Sequence, residues 1–361
     1  MLKNIIRPLK EWYQEHKRIL YWRATRNPYY IWVSEIMLQQ TRVEAVKPYF
    51  RIFISEIPSV RELAICPENK LLKLWEGLGY YNRVRNMQKA AITIMNEYGG
   101  KIPADYEVLK QLSGIGQYTA GAIASIAYGI PVPAVDGNVL RVLTRILEDS
   151  RDISKQVVKC QIEKDLLTIV PKEDPGTFNQ ALMELGAVVC VPVGRPKCGE
   201  CPLQELCKAH AAGRELEYPV KVGKKSRRIE ARTILLIQDE KRIVLWKRPN
   251  QGLLAGMYEF PNLPGHLNRC EMLEWIKKEE LTPLQIQKLE DVKYIFSHVE
   301  WHMIGYSVQV ASFEGSKNGS LILAEKKHME GKYPVPAAYG AYARYMNLNL
   351  GLKKNMSKGK K

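Results

Sequence analysis

Apolar and polar residues follow two different patterns along this chain, and the change falls near residue 212. Before it, apolar residues recur every three or four positions, which is the spacing of amphipathic helices. Proline and glycine separate these stretches at Pro58, Pro67, Gly99, Gly100, Pro103, Pro131, Pro133 and Pro171. The pattern predicts a mainly α-helical domain over residues 1–212.

The pattern beyond Thr233 is typical of a smaller α+β domain, which we expect over residues 233–350. Two short β-rich runs, TILLI and RIVLW, flank Gln238–Lys241 and predict a hairpin. Further strand-like runs follow at Val292–Phe296 and Met303–Val310. A helix-like stretch at Arg269–Glu280 lies between the hairpin and these strands.

Two segments lack either pattern. Residues 213–232 are rich in charge and poor in large apolar side chains, which predicts a linker. Residues 351–361 predict a basic tail with a non-specific attraction for phosphate.

The chain is strongly basic, with 54 Lys and Arg against 38 Asp and Glu and a formal net charge of +16. Such an excess fits a polyanionic partner such as nucleic acid, although it also fits a protein whose charge only prevents aggregation. No apolar run approaches the roughly 18 residues that cross a bilayer, and the start lacks a secretory signal. We therefore expect a cytoplasmic protein, associated with the nucleoid if its source is bacterial.

Four of the seven cysteines lie within 18 residues, which predicts a metal site in a reducing compartment rather than disulfides. They are Cys190, Cys198, Cys201 and Cys207, with seven, two and five residues between successive members. Four thiolates without a histidine can hold zinc or a cubane cluster. The single compact loop favours one [4Fe–4S] cluster, and zinc is the alternative.

A glycine-containing segment, Leu112–Ala120, joins two helical patterns. Gly114 and Gly116 permit backbone conformations that other residues resist, and they let a phosphate approach the start of the next helix. This arrangement is typical of a phosphate contact, although two glycines alone also make an ordinary tight turn between helices.

Two carboxylates have unusual surroundings. Asn27 and Pro28 predict the start of a helix that reads PYYIWVSEIMLQQTRVEAV, in which apolar neighbours surround Glu35. Burial would raise the pKa of Glu35 and leave it able to donate a proton. Asp136 precedes another apolar-periodic helix, where backbone N–H groups would keep it ionised.

The ordinary alternatives for this pair are an exposed or paired Glu and a simple helix cap. Together, one protonated and one ionised carboxyl can break a glycosidic bond through an oxocarbenium-like state.

The order of these motifs resembles the helix-hairpin-helix DNA glycosylase superfamily, and within it the adenine DNA glycosylases of the MutY type. The resemblance rests on SEIMLQQT, GLGYYNRVRN, LSGIGQYTA, VDGNVLRV, FNQALMELGA and the four-cysteine loop. GLLAGMYEFP and FSHVEWHM resemble the family's Nudix-like C-terminal domain. The resemblance covers nearly the whole chain. It implies a mainly α six-helix barrel with an iron–sulfur subdomain, followed by an α+β Nudix-like domain that recognises 8-oxoguanine.

The resemblance implies a monomeric base-excision-repair enzyme that removes adenine opposite 8-oxoguanine or G from double-stranded DNA. Glu35 would protonate the flipped adenine and handle water, Asp136 would face the sugar cation, and Asn138 would be the polar partner on the sugar side. At the position of Tyr118, the relatives resembling endonuclease III have a lysine that attacks the sugar. Tyrosine has no amine, so a monofunctional glycosylase is implied.

The resemblance also assigns contacts with the substrate. Those that would line the adenine pocket are Arg18, Trp22, Arg23 and Gln180. Those that would enter or contact the duplex are Leu38, Gln40, Thr41, Tyr80, Gly114 and Gly116. Those that would read 8-oxoguanine are Phe296, Ser297 and His298. Trp22 could instead be core, Tyr80 helix packing, and residues 296–298 an ordinary strand end.

Three departures from the family pattern stand out. The family has six residues between the first two cysteines, where this chain has seven. LYWR replaces LPWR ahead of the first long helix. The C-terminal domain lacks the glutamate-rich Nudix motif that holds Mg²⁺, which indicates a recognition module rather than a second enzyme.

Three other functions remain possible from the residues. They are a bifunctional endonuclease III-like glycosylase and lyase, a Nudix nucleotide hydrolase with a DNA-binding N-terminal domain, and a non-catalytic iron–sulfur protein that binds DNA. Tyr118 opposes the first, the missing acidic motif opposes the second, and the pair of Glu35 and Asp136 opposes the third.

Overall fold

The computed structural model describes residues 2–223, 226–313, 321–348 and 350. Its internal contacts divide the chain into two compact units. The first is Met1–Ile65 with Arg85–Lys224, and the second is Cys66–Val84 with Lys225–Lys361. The basic tail expected at residues 351–361 lies outside the described residues.

Helices form most of the first unit, as the three-to-four-residue spacing predicts. In chain order the α-helices of the protein are α1 (Ile6–His16), α2 (Pro28–Leu38), α3 (Val43–Glu56), α4 (Val60–Ile65), α5 (Glu68–Leu74), α6 (Asn82–Glu97), α7 (Tyr106–Gln111), α8 (Gln117–Tyr128), α9 (Gly137–Leu147), α10 (Gln156–Leu167), α11 (Pro175–Val188), α12 (Lys208–Ala211), α13 (Arg269–Lys278), α14 (Met329–Lys332) and α15 (Gly340–Ala343). None of those in the described part of the chain has both the length and the apolar character needed to cross a membrane.

Side-chain caps explain where the functional helices begin. The Asn27 side chain accepts a hydrogen bond from Tyr29 N at 2.9 Å, and Pro28 occupies the first helical position of α2, as predicted. Asp136 caps α9 in the same way, and Asp174 caps α11. These caps fix the residue at which each of the three helices begins.

The first long helix is shorter than predicted. Residues 28–46 were expected to form one helix, but α2 ends at Leu38 and α3 begins at Val43. Gln40 has a φ of 57°, in the left-handed region that ends helices. The periodicity continues because α3 also packs on the core, so the pattern hides the turn between the two helices.

The core of the first unit near its functional helices is built by α1, α9, α10 and α11. Leu9, Leu143, Ile162 and Phe178 are buried there in one cluster. The apolar stripe of α9 faces this core, which holds the start of α9 and its cap residue in place.

The second unit contains a mixed sheet. Its strands are β1 (Arg228–Gln238), β2 (Arg242–Lys247), β3 (Tyr258–Glu259), β4 (Asn262–Pro264), β5 (Pro283–Lys288), β6 (Val292–Ile295), β7 (Val299–Val310) and β8 (Ile322–Glu325). The order along the sheet is β3-β2-β1-β7-β5, with β4 on β1, β6 on β7 and β8 on β2. The predicted β1–β2 hairpin is confirmed by antiparallel pairing of Gln238 with Ile243.

The predicted linker over residues 213–232 is wrong at its C-terminal end. Strand β1 begins at Arg228 and pairs in parallel with β7, from Arg228 opposite Val299 onwards. The charged side chains at its start point away from the core, so their composition resembles that of a linker. Strand β7 likewise begins before the predicted Met303.

A segment from the predicted first domain belongs to the second unit. Helix α5 packs against α14, and Lys73 Nζ donates a hydrogen bond to Tyr333 O at 3.3 Å. Val335 N donates to Glu76 Oε1 at 3.2 Å. These are contacts between residues about 260 positions apart, which periodicity along the chain does not reveal.

Candidate active site

Glu35 is a buried carboxyl near the end of α2. Only 6% of its surface is exposed, as the apolar residues around it predict. Burial raises the pKa of Glu35 to about 7, although a hydrogen bond from Tyr118 opposes this effect. Near neutral pH the side chain can therefore carry a proton and release it.

Tyr118 lies in the first turn of α8, which packs against α2. Its hydroxyl donates a hydrogen bond to Glu35 Oε2 and lies 3.4 Å from Met183 Sδ. Burial and the nearby charge of Glu35 raise the pKa of Tyr118 well above its ordinary value. The phenol thus remains protonated and acts as a donor to Glu35.

Asp136 is the second carboxyl of the site. Its Oδ1 accepts a hydrogen bond from Val139 N at 2.8 Å, and its Oδ2 accepts one from Asn138 Nδ2 at 2.7 Å. These bonds were expected to lower its pKa. Burial has the larger effect and raises the pKa of Asp136, while the hydrogen bonds counteract it. Asn138 is thus a direct hydrogen-bond partner of Asp136.

Arg141 connects this carboxyl to the cysteine loop. Its Nη2 donates to Asn138 Oδ1 at 2.8 Å, and its Nε donates to the Cys190 carbonyl at 2.7 Å. Gly186 makes the close approach possible, because a Cβ there would lie 2.6 Å from Asn138 Cβ. A continuous set of hydrogen bonds therefore runs from Asp136 through Asn138 and Arg141 to Cys190.

Glu184, on α11, is a functional candidate that the sequence analysis missed. Its fully buried carboxylate accepts hydrogen bonds at 2.7 Å from Arg18 Nε, Arg18 Nη2 and Arg23 Nη2. Burial alone raises the pKa of Glu184, but the two guanidinium groups more than offset it and lower the pKa to about 2. Its apolar neighbours in ALMELGA are the same signal that singled out Glu35.

Three of the four residues expected to line the adenine pocket surround one cavity. Arg18, Arg23 and Gln180 all line it, whereas Glu35 and Asp136 do not. Trp22 is buried and packs edge-on against Phe50 with ring centroids 5.1 Å apart. The structure therefore places Trp22 in the core, which was the alternative reading of that residue.

The segment between α7 and α8 forms the expected hairpin of helices. Gly114 has a φ of 76°, and a Cβ there would lie 2.7 Å from Asn86 Cβ, so glycine is required. Gly116 is the cap residue of α8, and no side chain caps this helix start. Both glycines are exposed, which leaves the hairpin accessible to a phosphate.

The turn after α2 presents three of the predicted duplex contacts. Gln40 is exposed, and Leu38 and Thr41 are partly exposed. Thr41 N donates to Leu38 O at 3.2 Å, which closes the turn. Leu38 ends α2, the helix that carries Glu35, and Gln40 and Thr41 lie in the turn that follows it.

The other predicted DNA contacts, Tyr80 and the segment 296–298, lie in the second unit. Tyr80 is 46% exposed with a φ of 50°, so it is not a buried packing residue. Phe296, Ser297 and His298 form the turn between β6 and β7, closed by Phe296 N donating to Val299 O at 2.8 Å. Ser297 and His298 are exposed, whereas the Phe296 ring packs against Trp301 with centroids 4.9 Å apart.

The four predicted metal ligands come together. Cys190, Cys198, Cys201 and Cys207 line a single cavity in the first unit. The pKa of Cys198 is raised to about 11 and that of Cys201 to about 12, mainly by burial; the neighbouring thiols contribute to both values, and the Glu215 carboxylate contributes more than they do at Cys198. Thiols that oppose each other's ionisation are typical of ligands whose charge a metal centre balances.

Beside the four cysteines lies a tighter group of potential ligands that includes a histidine and a carboxylate. Among the described residues, the set of three potential ligands whose donor atoms lie within 4.8 Å of one another is Cys198, His210 and Glu215. His210 Nδ1 and Glu215 Oε1 are already hydrogen-bonded to each other at 2.5 Å.

The seventh residue between the first two cysteines is accommodated in a surface turn. Gly194 has a φ of 76°, and Val193 beside it is 85% exposed. Lys197 N donates to Val189 O at 3.0 Å and closes the loop at its base. The extra residue is therefore placed in solvent, and Cys190 still reaches the common cavity.

Comparison with known proteins agrees with this geometry. Residues 33–167 match the family model of the HhH-GPD superfamily base excision DNA repair protein, and residues 232–344 match that of the NUDIX domain. A thermostable thymine-DNA glycosylase has a similar structure, with a TM-score of 0.53 and 27% identity over 58% of this chain and 96% of its own. An endonuclease III in a non-covalent complex with DNA matches with a TM-score of 0.50 and 26% identity, over 59% and 98%. The predicted order of a helix-hairpin-helix domain and a Nudix-like domain is confirmed.

The curated relatives extend the match across both units. The adenine DNA glycosylase of Rattus norvegicus is 34% identical over 88% of this chain and 72% of its own length. The adenine DNA glycosylase of Buchnera aphidicola subsp. Baizongia pistaciae is 35% identical over 80% of this chain and 81% of its own. The chain therefore belongs to the adenine DNA glycosylase family.

Proposed function

We propose that this protein is a monofunctional glycosylase that hydrolyses the N-glycosidic bond of adenine mispaired with 8-oxoguanine or G in double-stranded DNA. The observation that carries the proposal is a buried Glu35 with a pKa of about 7, hydrogen-bonded to Tyr118 and electrostatically coupled to Asp136. Its named relatives are adenine DNA glycosylases.

Glu35 acts as the general acid. Adenine is a poor leaving group as an anion, and a proton from Glu35 lets it depart as a neutral base. The bond between the sugar carbon and the base nitrogen then breaks, and its electron pair goes to the base. A carboxyl with a pKa near the working pH suits this step, because it is both partly protonated and acidic enough to donate.

Asp136 stabilises the positive charge that develops on the sugar. Val139 N and Asn138 Nδ2 fix both of its oxygens, so little reorganisation is needed when the charge forms. Water then adds to the sugar carbon, and the ionised Glu35 takes the proton that the water releases. The cycle ends with Glu35 protonated again.

Tyr118 supports hydrolysis rather than covalent catalysis. It has no amine to form a Schiff base, and its hydroxyl is engaged as a donor to Glu35. The predicted consequence is base release with little strand cleavage, in contrast to a bifunctional glycosylase.

The DNA contacts are assigned to exposed residues. The hairpin at Gly114 and Gly116 binds a backbone phosphate, and the turn at Leu38, Gln40 and Thr41 fills the gap left by the flipped base. Arg18, Arg23 and Gln180 border the adenine side of the site. In the second unit, Tyr80 contacts the duplex. The turn at Phe296, Ser297 and His298 reads the N7–H group of 8-oxoguanine, which guanine lacks.

The four cysteines are proposed to hold one [4Fe–4S] cluster. Its expected contribution is structural, since bound thiolates would fix the loop between Cys190 and Cys207. Arg145 already orients this loop by donating to Cys190 Sγ at 3.1 Å and to the Val191 carbonyl at 3.1 Å. Two further basic side chains of the loop, Arg195 and Lys197, suit a surface near phosphate.

The decisive experiment is a single-turnover base-release assay on three duplexes. We expect the fastest release of A opposite 8-oxoguanine, slower release opposite G, and negligible release opposite T. Glu35→Gln keeps a hydrogen-bond acceptor for Tyr118 but has no acidic proton, so release should fall by roughly a thousandfold. Equal rates on all three duplexes, or full activity of the variant, would overturn the proposal.

Borohydride trapping on the same duplex provides a separate control. A trapped protein–DNA adduct would show Schiff-base chemistry and contradict the monofunctional assignment. Tyr118→Lys places an amine at this position and serves as the matched positive control, because an amine there can attack the sugar.

A further inference from the structure

The turn between α5 and α6, in the second unit, has an unusual backbone. Gly77, Gly79 and Tyr80 have φ values of 103°, 70° and 50°. Glycine adopts left-handed backbone freely, but a tyrosine does so only at a cost in free energy. Tyr80 is 46% exposed, so burial of its ring offsets only part of this cost. The turn therefore depends on other contacts for its shape.

Arg83 supplies several of these contacts. Its Nη2 donates hydrogen bonds to Leu78 O and Gly79 O, both at 3.1 Å. Its backbone N donates to Tyr80 O at 2.8 Å. Trp75 Nε1 adds a second donor to Gly79 O at 3.2 Å. The carbonyl groups on both sides of the Tyr80 backbone are thus held by hydrogen bonds.

The guanidinium group of Arg83 also lies close to two aromatic rings. Its central carbon is 5.5 Å from the centroid of Trp75 and 5.5 Å from that of Tyr80. Trp75 is fully buried, so Arg83 contacts one ring in the core and one at the surface. Burial lowers the pKa of Arg83 to about 10, which still leaves it charged at neutral pH and able to attract both rings.

We propose that Arg83 is a positioning residue that holds the Tyr80 ring in place for the duplex before DNA binds. This inference rests on the proposed function, which assigns Tyr80 a contact with the duplex. A side chain that must be ordered during binding costs affinity, and one that is already ordered does not. Arg83 stabilises the strained turn in the free protein, and it acts through Tyr80 rather than through a DNA phosphate.

Hydrogen exchange of the DNA-free, full-length protein tests whether Arg83 stabilises the turn. Arg83→Lys keeps the charge but loses the planar group that reaches two carbonyls and stacks on the rings. Amide exchange in residues 77–82 should become about tenfold faster. Arg269→Lys, at an exposed position of α13, is the matched control and should leave this exchange unchanged. Unchanged exchange in Arg83→Lys would overturn the proposal, whether or not the protein releases adenine.

A double-mutant cycle with Tyr80→Ala tests the connection to DNA. Affinity is measured for a duplex with a non-hydrolysable adenosine analogue opposite 8-oxoguanine. Tyr80→Ala should lower it roughly tenfold through lost stacking, and Arg83→Lys roughly fivefold. The double variant should bind like Tyr80→Ala alone, because Arg83 then has no ring to position. If Arg83→Lys weakens binding by the same factor in both backgrounds, Arg83 contacts a phosphate or has only a general structural role, and the proposal is wrong.

Gly79→Ala perturbs the same turn by another route and keeps the test informative if Arg83→Lys fails to fold. A Cβ at Gly79 would have no atom within 4 Å, so the substitution strains the backbone at a φ of 70° without a clash. Duplex affinity should fall about threefold when Tyr80 is present and remain unchanged in Tyr80→Ala. A loss of affinity that persists without the Tyr80 ring would contradict the proposal. A wild type that releases no adenine but shows these changes in affinity would contradict only the proposed function.

Discussion

Two buried glutamates in the first unit have opposite protonation behaviour. Glu35 on α2 and Glu184 on α11 are 6% and 0% exposed, and both helices pack against α8. The pKa of Glu35 is raised to about 7, whereas that of Glu184 is lowered to about 2. Burial raises the pKa of both, so burial does not account for the difference.

The hydrogen-bond partner decides the outcome. Glu35 has one neutral donor, the Tyr118 hydroxyl, which is too weak to offset the loss of solvent. Glu184 has two guanidinium groups, which bring positive charge as well as hydrogen bonds. The same residue type thus becomes a proton donor in one place and a fixed negative charge in the other.

The largest effect on stability should come from Glu184→Gln. The substitution leaves Arg18 and Arg23 without their charge partner, and we expect a loss of about 3 kcal/mol in the free energy of unfolding at pH 7. Urea denaturation measures this loss. The exposed pair of Glu217 with Arg214 provides a matched control, since Glu217→Gln should leave the free energy of unfolding almost unchanged.

The difference in the free energy of unfolding between the wild type and Glu184→Gln should depend on pH in a definite direction. Because the folded pKa of Glu184 is lowered, its ion pairs stabilise the protein above the unfolded value of about 4.5. This stabilisation is lost as the pH falls from there towards 2. A difference between wild type and variant that is constant down to pH 2 would contradict the assignment.

Glu35→Gln should have a smaller effect on the free energy of unfolding, and in the opposite direction. Since the folded pKa of Glu35 is raised, the wild type loses stability as the pH rises from about 4.5 through 7. The uncharged amide escapes this loss, so the variant should be more stable by about 2 kcal/mol at pH 8 and no more stable at pH 4. Thermal unfolding at the two pH values provides the measurement, and a less stable variant at pH 8 would refute the raised pKa.

Tyr118→Phe should give the smallest effect, a shift in the pH dependence of adenine release. Adenine release by the wild type should decline as the pH rises through about 7, because Glu35 loses its proton. The Tyr118 hydrogen bond lowers the pKa of Glu35, so its removal should shift this decline upwards by about one pH unit. A pH–rate profile identical to that of the wild type would show that the hydroxyl does not tune the acid.

Local signals in the sequence predict much of this site. Asn27 with Pro28 marks the start of α2, Gly114 with Gly116 marks the hairpin, and the apolar neighbours of Glu35 predict its burial. Each signal depends on residues within one or two turns of chain, and each of these local features is confirmed in the structure.

Long-range partners explain the features that the sequence does not reveal. Glu184 has the same apolar neighbours as Glu35, and extending that rule to it would predict a protonated acid. Its ionised state comes from Arg18 and Arg23, more than 160 residues earlier in the chain. Similarly, burial raises the pKa of Asp136 more than its local hydrogen bonds lower it. The extent to which a helix-capping residue is buried depends on distant parts of the chain, so the local sequence does not predict it.

The early end of α2 constrains the proposed catalytic step. Glu35 and Leu38 are three residues apart in the same helix, so they share a face and differ by about 4.5 Å along its axis. The turn at Gln40 is tied to α8 through Gln39 Nε2 and Thr119 Oγ1, 3.5 Å apart. Removing one residue between Glu35 and Leu38 would leave the two side chains about 160° apart around the helix axis, on opposite faces, while leaving each chemically intact. Register along a single helical turn, as well as the identity of the side chains, therefore sets whether the proton donor and the gap-filling turn can act on the same nucleotide.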